Sequence, residues 1–133
     1  MDYNQHGAYL FNKRFGNPVQ DTPRLIDKDL ALLQVKMLQE ELDELHEAIE
    51  NGDLVEIADA LGDLKYVANG AASLYGIDLE VIEDEIHRSN MSKLDAGGNP
   101  VPHPTIPGKI GKSDRYKPPA IAPLLFDQGW NGK

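Results

Sequence analysis

The chain has 133 residues, 41% of them hydrophobic and 26% charged, with a net charge of −9 and a pI near 4.7. That length fits one domain able to bury its own core. The acidic balance disfavours nonspecific binding to nucleic acid or to an anionic membrane, and the absence of cysteine removes disulfides, zinc–thiolate sites and thiol nucleophiles.

No apolar run approaches the roughly 18 residues needed to cross a bilayer, and the N-terminus lacks the apolar core of a secretory signal. A cytoplasmic protein with neither nucleic-acid nor membrane partners is the expectation. Residues 2–15 read as a short helix with Tyr3, Leu10, Phe11 and Phe15 as apolar contacts and Gly16 as its stop. The following NPVQDTPRL carries Pro18 and Pro23 and reads as an irregular loop. In this region Asn12, Lys13 and Arg14 could reach a nucleotide and Phe15 could stack on a base; the bland alternative is a helix and its connector.

A long helix is predicted from about Asp27, its N-cap, to Ile49. Ala31, Val35, Leu38, Leu42, Leu45 and Ile49 recur at helical spacing as its core stripe. At about 100° per residue, Glu41 and Glu44 fall at the edge of that stripe, while Glu40 and Glu47 turn toward solvent. Asn51-Gly52 ends the helix. Asp53 caps the next, about residues 54–75, with Ile57, Leu61, Leu64, Ala68 and Ala71 as its buried stripe. Glu56, Asp59 and Asp63 form a second acidic stripe beside it.

A turn this short makes the two helices an antiparallel hairpin, which sets the acidic clusters roughly level. From Gln39 to Asp63 there are ten acidic residues and no Lys or Arg. Facing carboxylates repel unless a cation lies between them, and an oxygen-only ligand set suits Mg²⁺, with Mn²⁺ as a substitute. Gly62 and Gly70 inside the second helix suggest the close approach that a shared metal would need.

After Tyr75-Gly76, Asp78 caps a fourth helix, about 79–94, with Leu79, Ile82, Ile86 and Met91 as core contacts and His87, Arg88, Asn90 and Lys93 toward its end. Lys93 suits the macrodipole of a helix C-terminus; Asn90 has no such reason. Seven of the nine prolines lie beyond Asp95, among apolar residues such as Tyr116, Phe126 and Trp130. The expected division is a helical catalytic domain over 1–95 and an extended arm over 96–133, packed on the same domain or on a neighbouring subunit. Lys109, Lys112, Arg115 and Lys117 make the arm locally basic.

Carboxylates that hold Mg²⁺, a further carboxylate to orient or deprotonate water, and basic groups for phosphate together suit phosphoanhydride hydrolysis. These motifs resemble the all-α nucleoside triphosphate pyrophosphohydrolases, the MazG-like and phosphoribosyl-ATP pyrophosphohydrolase-like group. That family carries Glu-Glu-x-x-Glu on one helix, intact here as Glu40-Glu41-Leu42-Asp43-Glu44, and Glu-x-x-Asp on the next. DALGDLKYV resembles the second helix and places Asp63 at the motif's Asp. The motif's Glu then falls at Ala60, a departure that Asp59 or Glu56 could make good; a literal Glu56-x-x-Asp59 leaves the register open.

EDEIHRSNMSKL resembles the family's later helix, which implies substrate contacts for Asn90 and Lys93. GKIGKSDRYKPP resembles the basic closing segment of the MazG-like branch, which implies the same for Lys109, Lys112 and Tyr116. FNKRFGNPVQDTP is also similar to that branch. The resemblance implies catalytic carboxylates at Glu40, Glu41 and Glu44, and metal ligands at Glu41, Glu44, Glu56, Asp59 and Asp63. It implies cleavage between the α- and β-phosphates of a nucleoside triphosphate, giving a monophosphate and pyrophosphate. It also implies an all-α antiparallel bundle of about four helices per chain, completed by pairing as a homodimer or homotetramer. Two other readings remain. A ferritin-like di-iron site needs Glu-x-x-His on two helices, whereas Asp43-x-x-His46 and Asp84-x-x-His87 carry Asp. A non-catalytic helical module could use the same acidic face to bind a basic partner.

Overall fold

The computed structural model describes all of residues 1–133. The chain is all-helical: α1 (Tyr3–Arg14), α2 (Lys28–Glu50), α3 (Leu54–Tyr75), α4 (Leu79–Met91) and α5 (Ile121–Asp127). No helix is long and apolar enough to cross a membrane. The starts of the first three helices are set by aspartates. The side chains of Asp2, Asp27 and Asp53 accept hydrogen bonds from the backbone N–H of Gln5, Leu30 and Glu56, satisfying first-turn donors that have no partner inside a helix.

The chain divides into two compact units, residues 1–79 with 125–133, and residues 80–124. In the first, α3 lies between α1 and α2 and packs on both. Asn51 and Gly52, the latter at φ 62°, turn the chain from α2 back into α3. The loop after α1 docks on the end of α3 through Gln20 N–H to Ser73 O (3.2 Å) and Arg24 N–H to Tyr75 O (2.9 Å). Gly76 ends α3 at φ 71°, and a Cβ there would run into the Thr22 carbonyl. Gln128 returns to the same place. It accepts from Asp78 N–H at 2.8 Å and donates to Asp78 O at 3.0 Å.

The interior of this unit is built from small side chains: Ala8, Ala48, Ala60, Ala72 and Ser73 are buried, together with Leu74. The expected leucine stripes are only half covered. On α2, Ala31, Leu38 and Leu45 are half-buried, whereas Val35, Leu42 and Ile49, at seven-residue spacing, are 60%, 49% and 57% exposed. On α3, Leu61 is exposed as well. The reason is that α3 spends its two sides on α1 and α2, and nothing within this chain covers the outer stripe.

The interior glycines differ from expectation. A Cβ on Gly70 would meet the Asn12 amide of α1 at 3.3 Å, while one on Gly62 would meet nothing within 4 Å. Neither marks a close approach of α2 to α3.

The second unit is α4 with the Pro-rich segment folded along it. Ser89 Oγ donates to Lys117 O at 2.8 Å, Lys117 N–H donates to Ser92 Oγ at 2.9 Å, and Ser113 Oγ donates to Leu94 O at 2.8 Å. Glu85 accepts from Arg88 and from Ala120 N–H. A single bridge pairs Pro102 with Ile110. Here the tail is irregular rather than freely extended, and α5 gives it one short helix.

Candidate metal centre

Glu41 and Glu44 are three residues apart on α2, so they project from one face. Asp63 reaches them from α3. One carboxylate oxygen from each of the three lies within 4.8 Å of the other two. Glu44 is exposed, and Glu41 and Asp63 are half-buried.

Glu41 is the unusual member. Its Oε2 is sealed from solvent and has no hydrogen-bond partner. Burial pushes its carboxyl up from 4.5 to about 7, helped by a side-chain hydrogen bond with Glu44 and by the charges of Asp63, Glu44 and Asp59. A buried acceptor without a donor costs roughly 1–3 kcal/mol. A cation between the three carboxylates would satisfy that oxygen and cancel the repulsion together. The donor set is oxygen only, so the residues fit a hard divalent ion such as Mg²⁺ or Mn²⁺.

The other acidic candidates lie around this group. Asp59 is near enough to raise Glu41, and with Glu44 and Glu56 it lines a groove of about 510 Å³. Glu56 is exposed and stands outside the three-carboxylate group, as does Glu40. Ala60, where the motif's Glu would fall, is 2% exposed and part of the core. The geometry thus joins Asp63, rather than the Glu56–Asp59 pair, to Glu41 and Glu44.

The N-terminal candidates separate. Asn12 was expected to reach a nucleotide, but it is buried and committed. Its Nδ2 donates to Gly70 O at 3.0 Å and its Oδ1 accepts from Asn17 Nδ2 at 2.9 Å. These two bonds tie α1 to α3 from inside the fold. Arg14 and Phe15 are exposed. Phe15 stacks on Phe11 at 4.3 Å, and Phe11 meets the Tyr66 ring edge-on at 5.8 Å.

The remaining candidates belong to the second unit. Asn90, Lys109 and Lys112 are exposed, and Lys93 and Tyr116 are half-buried. Lys112 Nζ sits 4.7 Å from the centre of the Tyr116 ring, a cation–π contact.

One residue had no signal in the sequence. Asn69 is 6% exposed on α3. It opens into a recess between α1 and α3. In sequence it sits within ANGAAS and reads as one polar residue among small ones.

Comparison with known proteins agrees with the arrangement of acidic helices. Residues 8–90 match the family described as phosphoribosyl-ATP pyrophosphohydrolase. A stretch of 94 residues is 30% identical to an uncharacterized protein of Acanthamoeba polyphaga mimivirus, covering 68% of this chain and 35% of that protein. The chain therefore spans about a third of the length of this relative. With most of the chain matched, and α2 and α3 both inside the match, the protein belongs to the phosphoribosyl-ATP pyrophosphohydrolase family, within the MazG-like superfamily of nucleotide pyrophosphohydrolases.

Proposed function

We propose that this protein is a Mg²⁺-dependent nucleoside triphosphate pyrophosphohydrolase that cuts the α–β phosphoanhydride to release a monophosphate and pyrophosphate. The observation that carries the reading is the orphaned Glu41 Oε2 inside the three-carboxylate group. Glu41, Glu44 and Asp63 would hold the metal, with Asp59 and Glu56 beside them for a second ion or a bound water. The ion supplies charge neutralisation at the phosphate oxygens and a more acidic water.

The chain's own groups do the rest. Glu41, raised to about 7 by burial, would have to be deprotonated to serve as a ligand to the ion. Glu44 is exposed at the mouth of the group and can orient a water or accept its proton. Arg14 in the first unit, and separately Lys93, Lys109 and Lys112 in the second, are side chains suited to phosphate charge; Asn90 and Tyr116 of the second unit are suited to polar contacts. Phosphoanhydride cleavage consumes one water and leaves each phosphate with its own oxygen.

The outward stripe of Val35, Leu42 and Ile49 supports a homodimer or homotetramer in which a second copy covers it. Triphosphate hydrolysis in the cytoplasm is the setting that fits best.

The test is pyrophosphate release from a panel of canonical and modified nucleoside triphosphates, with Mg²⁺ and with EDTA, alongside Glu41→Gln. Metal-dependent release of pyrophosphate and monophosphate, lost in the variant, is expected. Release of orthophosphate and diphosphate would move the cut to the β–γ bond and sink the assignment. No turnover and no Mg²⁺ stabilisation would favour a non-catalytic interaction module.

A further inference from the structure

Asparagine followed by glycine loses its side-chain amide readily, because a residue without a Cβ lets its backbone nitrogen approach the preceding side-chain carbonyl. The chain has three such pairs: Asn51-Gly52, Asn69-Gly70 and Asn131-Gly132. The fold treats them differently. Asn69 lies inside α3 and is 6% exposed, and Gly70 O accepts from the Asn12 amide of α1 at 3.0 Å. Turning that peptide for attack would break the helix ladder and this tie together. Asn131 and Gly132 are exposed, with Gly132 at φ 87°, so they set the pace of an open Asn-Gly in this chain. Asn51 and Gly52 are exposed too. Asn51 is the C-cap of α2, Gly52 stands at φ 62°, and Gly52 N–H is held by a turn bond to Ile49 O at 3.1 Å. Helix ends fray, which frees that nitrogen.

Asn51 stands beside the carboxylates. It lines the groove of about 510 Å³ together with Glu44, Glu47, Asp53, Glu56 and Asp59. Only Asn51, Gly52 and Asp53 join α2 to α3, so this turn sets the register that brings Asp63 to Glu41 and Glu44. We propose that Asn51 is a site of spontaneous deamidation whose products disturb the three-carboxylate group. Gly52 nitrogen, losing its proton, attacks Asn51 Cγ. The new N–Cγ bond closes a five-membered imide as the Cγ–Nδ2 bond breaks and ammonia leaves with that proton. Water then opens the ring on either side. Breaking the N–Cγ bond gives aspartate; breaking the bond from nitrogen to the Asn51 backbone carbonyl carbon gives isoaspartate, with the chain rerouted through Cβ and Cγ. One water enters and one ammonia leaves, with no change of oxidation state. Either product puts a carboxylate at the C-terminal end of α2, where the macrodipole disfavours it, and among like charges in the groove. Isoaspartate also adds a methylene to the main chain of the turn. The conversion itself is independent of the pyrophosphohydrolase reading; its effect on Mg²⁺ rests on that reading.

The experiment ages the full chain at pH 8 in EDTA beside Asn51→Gln, which keeps an amide but would have to close a larger, slower-forming ring. Peptide mapping by mass spectrometry reads the conversion of amide to acid at each asparagine, and electron-transfer fragmentation separates isoaspartate from aspartate. Melting temperatures are read on the same samples in EDTA and in Mg²⁺. Asn51 should convert at a rate comparable to Asn131, while Asn69 stays intact. As Asn51 converts, the melting temperature in EDTA should fall by several degrees and the rise given by Mg²⁺ should shrink severalfold, with neither change in Asn51→Gln. An amide that persists at Asn51, whatever Asn131 does, would overturn the proposal. So would full conversion that leaves both melting temperatures where the fresh protein has them. A fresh protein with no Mg²⁺ rise would sink the metal reading alone: conversion at Asn51 with a lower melting temperature in EDTA, absent from Asn51→Gln, would still support the modification site.

Discussion

Glu41 on α2 and Asp63 on α3 bring carboxylate oxygens within the same 4.8 Å group, and the charge of Asp63 adds to the burial that raises Glu41 to about 7. Protons and a metal therefore compete for one oxygen pair. Mg²⁺ affinity should climb between pH 6 and 7 and level off above, because binding displaces the Glu41 proton only in the lower range. Thermal shift against Mg²⁺ concentration at several pH values measures this. At about 100 times its Kd the ion should add roughly 2.7 kcal/mol of stability. Glu41→Gln should abolish the gain.

Without metal the same residue works against the fold at alkaline pH. Its folded pKa, about 7, lies above the ordinary 4.5, so in this window the folded state holds more protons than the unfolded one. Its contribution is fully present below about pH 4.5 and is lost as pH rises through 7. In EDTA, Glu41→Gln should therefore be the more stable protein at pH 8, by on the order of 1 kcal/mol after allowance for solvent screening. The difference should vanish toward pH 4.5. Urea melts at pH 5 and pH 8 would show it, and an equal difference at both would count against the shift.

Asn12 should behave as a tie between helices. Asn12→Ala leaves the Gly70 carbonyl and the Asn17 amide without their partner, so stability should fall by about 1–3 kcal/mol. KM for the active triphosphate should hold in the fraction that remains folded. A raised KM with unchanged stability would return Asn12 to the substrate.

Two glycines at turns make a matched pair. Gly76 and Gly52 both have positive φ, but only at Gly76 would a Cβ also strike backbone, at Thr22. Gly52→Ala should cost about 1–2 kcal/mol, and Gly76→Ala clearly more, because the loop after α1 must move. Equal denaturation midpoints for the two variants would mean that the loop gives way freely.

The Val35, Leu42 and Ile49 stripe predicts assembly. Analytical ultracentrifugation at micromolar concentration should give a dimer or tetramer. Val35→Glu combined with Ile49→Glu should shift it toward monomer with a lower melting temperature. Monomer at all concentrations in the unaltered chain would leave the stripe without its cover.

Much of this was legible in the residues. Asp27 and Asp53 announce their helices because a carboxylate followed by a periodic run has one local use, and Asn51-Gly52 can only turn. Glu41 and Glu44 follow from their angle relative to Leu38 and Leu45, a property of α2 alone. The choice between Glu56 and Asp63 does not. It depends on how far along α3 the antiparallel neighbour sits, which the sequence states only through packing. Asn12 and Asn69 show the same limit. Both are asparagines on helices, yet one is satisfied across α1 and α3 and the other faces an opening. No local pattern separates them. The outward leucines were misread as core because periodicity marks an apolar face without saying whose surface will cover it.

The pairing of Gln128 with the main chain of Asp78 also bears on how this chain is wired. One side chain imitates a strand partner, giving and taking a hydrogen bond with the same residue. The two positions are fifty residues apart, so the stretch between them leaves and re-enters the first unit through a single gate. That wiring makes the stretch exchangeable in principle: the closure entropy of a loop grows only slowly with its length. A change in the length of that stretch therefore costs little closure entropy at the point where Gln128 meets Asp78.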